Sequence, residues 1–189
     1  MSEAPDPLVI KLSNVRLSYP VLDEKKTFRT GEGKPAWSAT FLLDKKANAA
    51  DIKKLQTVIA GVTKDEFAGK ALPPDRVCLK DGSLKEDTDG YGDGVMFVAA
   101  RNEKTRPGVV DRNLAQLTAG DPHFPYAGCY VNATIRLWAQ GGKSFKSEFG
   151  KRINATLRNV QFLKDGEPFG EKPTPAEAEF EAVEDDSVV

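Results

Sequence analysis

The segment 130–140 alternates strictly between two kinds of side chain, and this alternation constrains the fold more than any other feature of the chain. One parity is apolar throughout and consists of Val131, Ala133, Ile135, Leu137 and Ala139. Successive side chains of a β-strand point to opposite faces of the sheet, so the pattern predicts a strand with one face in the core.

The opposite parity of this strand combines two rings, one guanidinium and neutral hydrogen-bonding groups. Its members are Tyr130, Asn132, Thr134, Arg136, Trp138 and Gln140. Exposed rings can stack on unpaired bases, and a cation beside them can neutralise phosphates. The segment therefore indicates a surface that binds single-stranded nucleic acid.

The length of the chain, 189 residues with 40% hydrophobic content, suits one substantial core and is short for two. We predict a flexible leader over residues 1–7, one domain over 8–170 and a disordered tail over 171–189, where Pro, Ala and Glu dominate. No apolar run is long enough to span a bilayer, and residues 1–7 lack the regions of a secretory signal. We expect a cytoplasmic protein without a membrane partner.

The charge of the chain is distributed unevenly. Residues 171–189 contain seven acids and one base, a net charge of −6, whereas residues 1–170 carry +5. Such a tail can compete with an anionic ligand for the basic body. The alternative is a tail that only keeps the protein soluble.

The remaining patterns predict about five strands, bent and joined by Gly-rich turns, and one amphipathic helix. The helix spans residues 49–67, with Ile52, Leu55 and Ile59 on one side. A parity change near Asn14 predicts a bulge in the first strand, and Pro20 predicts its end. The main strands are expected at 8–19, 37–43, 95–100, 130–140 and 151–163.

This order of elements predicts a mainly β fold: an OB-fold-like, five-stranded antiparallel barrel with one amphipathic helix and long loops. In that fold the helix usually follows the third strand, but only two clear strands precede residue 49. Either residues 27–29 belong to a further strand, or the helix occupies a different position.

The last two strands should pair through the basic and aromatic loop 141–150, which brings their outward faces together. The rings of Tyr130 and Trp138 could instead cap one end of the barrel or pack under the long irregular segment 70–93. Additional bases after the strand 95–100 could form the rim of a groove. The candidate DNA-binding residues are Tyr130, Asn132, Arg136, Trp138, Lys143, Phe145, Lys146, Arg152, Arg158, Arg101 and Arg106.

Signatures of enzymes and metal sites are missing from the sequence. His123 is the single histidine, so neither a histidine-based triad nor a histidine-rich metal site can form. Cys78 and Cys129 lack companion ligands at metal-binding spacing and are expected to be buried, inert thiols. We predict no catalytic residues, no metal and no cofactor.

Several stretches of the chain resemble a family of phage and prophage single-stranded DNA-binding proteins. They are KLSNVRLSYP at 11–20, KPAWSATFL at 34–42, RPGVVD at 106–111, GCYVNA at 128–133, NVQF at 159–162 and DGE at 165–167. The resemblance covers nearly all of residues 8–170. It implies an OB-fold body and a cytoplasmic role in phage DNA replication or recombination.

The resemblance also implies that the acidic tail meets replication and recombination proteins and competes with DNA. Tails of this type often end on an aromatic residue, whereas this chain ends on Val189, and Phe180 is the candidate substitute. The residues assigned to partner binding are Phe180, Glu181, Glu184, Asp185 and Asp186. The sequence does not decide whether the protein also binds duplex DNA more weakly or whether it forms a homodimer.

Two other function classes compete with DNA binding. A phage structural or assembly protein could use the same barrel, but it would show no salt-dependent affinity for oligonucleotides. A nuclease would need acids clustered around divalent ions and would degrade the oligonucleotide.

Overall fold

A computed structural model describes residues 3–28, 31, 33–170 and 176–179. The predicted tail residues Phe180, Glu181, Glu184, Asp185 and Asp186 lie outside these described residues. The division into leader, domain and tail stays a prediction.

The described chain forms seven strands and two α-helices, with short 3-10 turns at Pro74–Arg76 and Gly82–Lys85. In chain order they are β1 Val9–Lys26, β2 Ala36–Asp44, α1 Ala49–Phe67, β3 Leu79–Asp81, β4 Val95–Asn102, β5 Gly108–Val110, β6 Tyr130–Gln140, β7 Arg152–Lys164 and α2 Ala176–Glu179.

Five of the strands close into a barrel in the order β1, β2, β4, β7, β6 and back to β1. The predicted mainly β, OB-fold-like barrel with one amphipathic helix is thereby confirmed, with one difference. The closing pair, β4 and β7, is parallel. An odd number of strands cannot close a ring with every neighbour antiparallel, so one parallel pair is required.

The core of the barrel is filled by alternate residues of its strands, as the period of two predicts. Val131, Ile135 and Leu137 of β6 and Leu157 of β7 are almost completely buried, together with Phe41 of β2. The outward parity of β6 stays half-buried along its whole length. The face that the sequence assigns to a ligand is therefore accessible.

The pairing of the first strand with its neighbours shifts register at three places. Its pairing with β6 shifts register between Leu12 and Val15, where Asn14 has a left-handed φ of 52° and forms the predicted bulge. The prediction that Pro20 ends the strand is wrong: β1 continues to Lys26, and a second register shift lies between Ser18 and Val21. A bulge tolerates proline because the residue is not required to donate to the sheet there.

The helix α1 has the predicted bounds and follows the second barrel strand, so the alternative of a different helix position is correct. It buries Ile52, Leu55, Val62 and Phe67 against the barrel. Asn48, just before the helix, does not cap it through its side chain. The side-chain amide of Asn48 instead donates to Ser13 O and Asn14 O. These two bonds connect the start of the helix to the bulge of β1.

No helix in the described ranges combines the length and the apolar character needed to cross a membrane.

Candidate nucleic-acid interface

A groove with a volume of about 1180 Å³ crosses the outer face of the barrel. Its floor is made by the outward side chains of β2, β4, β7 and β6, whose registers bring residues of four strands into one row. Ser38 pairs with Arg101, Arg101 with Thr156 and Thr156 with Arg136. Two arginines therefore lie on either side of a threonine in the middle of the groove.

One end of the groove carries a pair of aromatic rings. Trp138 stands on β6 opposite Asn154, and Phe145 reaches it from the loop between β6 and β7. Their ring centroids are 5.3 Å apart at an interplanar angle of 76°, an edge-to-face contact. Phe145 remains 53% exposed, so the pair offers ring surface to a ligand.

The other end of the groove carries two rings that the sequence analysis did not select. Phe28 is 58% exposed and lies under the guanidinium of Arg101, whose Cζ is 4.3 Å from the ring centroid. Tyr19 is 55% exposed and adopts a left-handed φ of 46°. This conformation is unfavourable for a bulky residue, and it lies at the second bulge of β1, where the ring turns out of the core.

A signal for these two rings exists in the sequence. Phe28 stands among Lys25, Lys26 and Lys34, a pattern of bases around an exposed ring. Tyr19 shares the parity of the buried residues Val15 and Leu17, so alternation alone places it in the core. Only the bulge at the following proline indicates otherwise.

The charges that line the groove are predominantly positive. Among the described residues, six bases and three acids line it; they are Arg76, Lys80, Arg101, Lys104, Arg136 and Arg152 against Glu66, Asp75 and Glu103. Lys143 and Lys146 lie exposed on the loop that carries Phe145. A groove of this kind attracts a polyanion and makes its binding salt-dependent.

Arg136 forms the shortest ion pair among the described groove arginines; Arg76 and Arg101 also pair, with Asp75 and Glu103, at 3.7 Å. Arg136 Nε donates to Asp6 Oδ2 at 2.7 Å, and Asp6 Oδ1 accepts from the amide of Leu8 at 2.9 Å. The Leu8 amide, followed by the Arg136 guanidinium, holds the pKa of Asp6 below its ordinary value. The carboxylate therefore occupies a position next to a base that a phosphate could also use.

Four of the predicted residues lie away from the groove. Arg106 pairs with Asp23 at 2.7 Å, and Arg158 is exposed at a register shift between β6 and β7. Asn132 accepts from the amide of Asn14 and donates to Gln161, so its side chain is used within the barrel.

Tyr130 is the fourth, and it lies at the opposite end of β6 from Trp138. It pairs with Lys164, whose Nζ is 4.8 Å from the ring centroid, and Arg16 approaches the ring at 5.7 Å. Antiparallel pairing with β7 places Arg152 opposite Gln140, at the other end of β6 from Tyr130.

The described residues bring no three His, Cys, Asp or Glu side chains together in a group that could hold a metal ion. Burial raises the pKa of the Cys129 thiol to about 11, and the same cause raises that of Cys78, in the groove wall, to about 11. Both thiols are therefore protonated near neutral pH.

Comparison with known proteins decides the family. Residues 8–189 match the family model of the Enterobacter phage Enc34 single-stranded DNA-binding protein. The chain belongs to this family. A further relative, protein p50 of Acyrthosiphon pisum secondary endosymbiont phage 1, is 39% identical over 169 residues, which cover 85% of each chain.

Solved structures of this family have the same fold. The single-stranded DNA-binding protein of bacteriophage Enc34 in complex with single-stranded DNA is 34% identical, with a TM-score of 0.73 over 86% of this chain and 90% of that chain. Another structure of the single-stranded DNA-binding protein of bacteriophage Enc34 is 32% identical, with a TM-score of 0.71 over 92% of this chain and 90% of that chain. The resemblance stated from the sequence is thus confirmed.

Proposed function

We propose that the chain binds single-stranded DNA in the barrel groove, without reading its sequence, during phage DNA replication or recombination. The observation that carries this proposal is the groove itself, which places rings at both ends of a basic floor. Membership of the family, one of whose proteins was solved with single-stranded DNA, supports it independently.

The mechanism combines stacking with neutralisation of phosphates. Trp138 and Phe145 at one end, and Phe28 at the other, offer faces and edges to unpaired bases, and each productive stack contributes about 1–3 kcal/mol. Arg101, Arg136 and Arg152 contact the backbone, and each phosphate that they neutralise releases counterions. Neither contribution depends on the identity of the base.

The groove favours single strands over duplexes. Stacking on side chains requires bases that are unstacked from each other, and a duplex does not present them without the cost of opening. Duplex DNA can still reach the basic rim through its phosphates, and we therefore propose weaker, more salt-sensitive binding for it.

The role of the chain is coating and protection rather than catalysis, and we place it in the cytoplasm of the bacterial host. Lys143 and Lys146 on the loop beside Phe145 extend the basic path. The tail, with its net charge of −6 over residues 171–189, supports a further proposal: it competes with DNA for the groove and presents Phe180 and neighbouring acids to partner proteins.

A fluorescence-anisotropy titration with labelled oligo(dT) and a duplex of equal length tests the proposed function. We expect tighter binding of the single strand at every salt concentration and a linear decrease of log K with log salt for both. Equal affinity for both DNAs, or affinity that does not depend on salt, would contradict it.

A further inference from the structure

The carboxylate of Glu66, in the last turn of α1, holds the loop that carries Phe145. Glu66 Oε2 accepts from the backbone amide of Ser144 at 2.9 Å, and Glu66 Oε1 accepts from the Ser144 hydroxyl. These bonds, that of the Ser144 hydroxyl most, lower the pKa of Glu66, so the group is ionised near neutral pH.

The loop backbone passes directly over this carboxylate. A Cβ atom at Gly142 would lie 2.7 Å from Glu66 Oε2, so a larger residue there would displace the carboxylate from its position under the loop. Gly141 has a left-handed φ of 70°, and its amide donates to Phe145 O at 2.8 Å. The loop is thereby folded into a compact turn with Phe145 against the edge of Trp138.

Glu66 is one of three acids among the described residues of a groove lined mainly by bases. The negative charge of Glu66 repels a polyanion. If this repulsion were the only effect of Glu66, removing the carboxylate would strengthen DNA binding. Its bonds to the loop predict the opposite, because a loop fixed before binding does not have to be ordered by the ligand. These two effects can be separated by experiment.

We propose that Glu66 is a positioning residue, which fixes the loop 141–151 so that Phe145 stands beside Trp138 as a preformed stacking site for single-stranded DNA. This inference rests on the proposed function of the groove. Glu66 itself touches no nucleotide and acts only through Ser144 and the loop backbone.

The test uses Glu66→Asp, which keeps the charge and shortens the side chain by one methylene. We expect roughly fivefold to tenfold weaker binding of oligo(dT), an unchanged salt slope, and faster trypsin cleavage after Lys143 and Lys146 in the free protein. The matched control is Asp75→Asn, at a groove acid whose ion pair is with its neighbour Arg76. This control should bind DNA slightly more tightly, because it removes a negative charge from the groove and frees Arg76 for a phosphate.

A double-mutant cycle with Phe145→Ala shows whether Glu66 acts through that ring. The double variant should bind no more weakly than Phe145→Ala alone, since the ring that Glu66 positions is already missing. Additive losses, unchanged affinity or unchanged cleavage in Glu66→Asp would overturn the proposal while leaving the proposed function intact. Absence of binding by the unsubstituted chain would overturn both.

Discussion

Asp6 Oδ2 lies 2.7 Å from Arg136 Nε, so the segment that precedes the barrel places a carboxylate on a base of the groove. A second pair of the same kind, Arg106 with Asp23 at 2.7 Å, lies outside the groove. The two pairs have the same distance and chemistry and differ in their position relative to the proposed DNA path. This difference allows a matched comparison.

Asp6→Asn should increase the affinity for oligo(dT) by up to about fivefold at low salt, because the phosphate no longer competes with a carboxylate for Arg136. Asparagine can still accept from the Leu8 amide, so the turn is preserved. Asp23→Asn should leave the affinity unchanged. Equal effects of both variants in anisotropy titrations would mean that only net charge matters.

Trp138→Ala should weaken binding by about 1–3 kcal/mol at every salt concentration, with the salt slope unchanged, since stacking releases no counterions. Tyr130→Ala is the control on the same strand, because its ring lies beside Lys164 at the end remote from Trp138. Similar losses in the two variants would show that the groove is not the binding surface. Thermal melts of both proteins check that the barrel is folded.

Arg152→Ala should reduce the slope of log K against log salt by about 0.7, the value for one phosphate contact on a single strand. Arg106→Ala removes the same charge from a residue outside the groove and should leave the slope nearly constant. The measurement is a salt series for each variant with one oligonucleotide. If Arg106→Ala has a smaller salt slope than Arg152→Ala, the phosphates bind outside the groove, on the side of Arg106.

Deletion of residues 171–189 should raise the affinity for single-stranded DNA at low salt, because it removes a net charge of −6 and leaves a chain of +5. The gain should disappear near 1 M salt, where the Debye length is about 3 Å. Weaker binding by the shortened chain would indicate that the tail assists DNA binding.

The sequence predicts best the elements in which apolar residues recur with a clear helical or strand period. The strand 130–140 and the helix 49–67 have their predicted bounds, because a long run of alternating or helical apolar positions has one favourable way to be buried. The pairing of Trp138 with Asn154 also follows from the hairpin between the last two strands.

The features that the sequence did not reveal depend on bends and on contacts between distant residues. Tyr19 leaves the core because its backbone at the second bulge is left-handed. The two-residue alternation of apolar side chains cannot predict such a change of direction. Tyr130 and Trp138 share a parity but lie at opposite ends of a strand on a curved barrel. Asp6 meets Arg136 across 130 positions, and no local pattern indicates such a pair.

The intrinsic fluorescence of Trp138 reports directly on whether single-stranded DNA occupies the groove. The chain has two tryptophans, and Trp37→Phe leaves Trp138 as the only one while keeping a ring beside Lys25. Titration of this variant with unlabelled oligo(dT) should quench the emission to saturation, at the concentrations at which anisotropy shows binding, because bases stack beside the indole. Binding by anisotropy with unchanged emission from Trp138 would contradict the claim that single-stranded DNA occupies the groove.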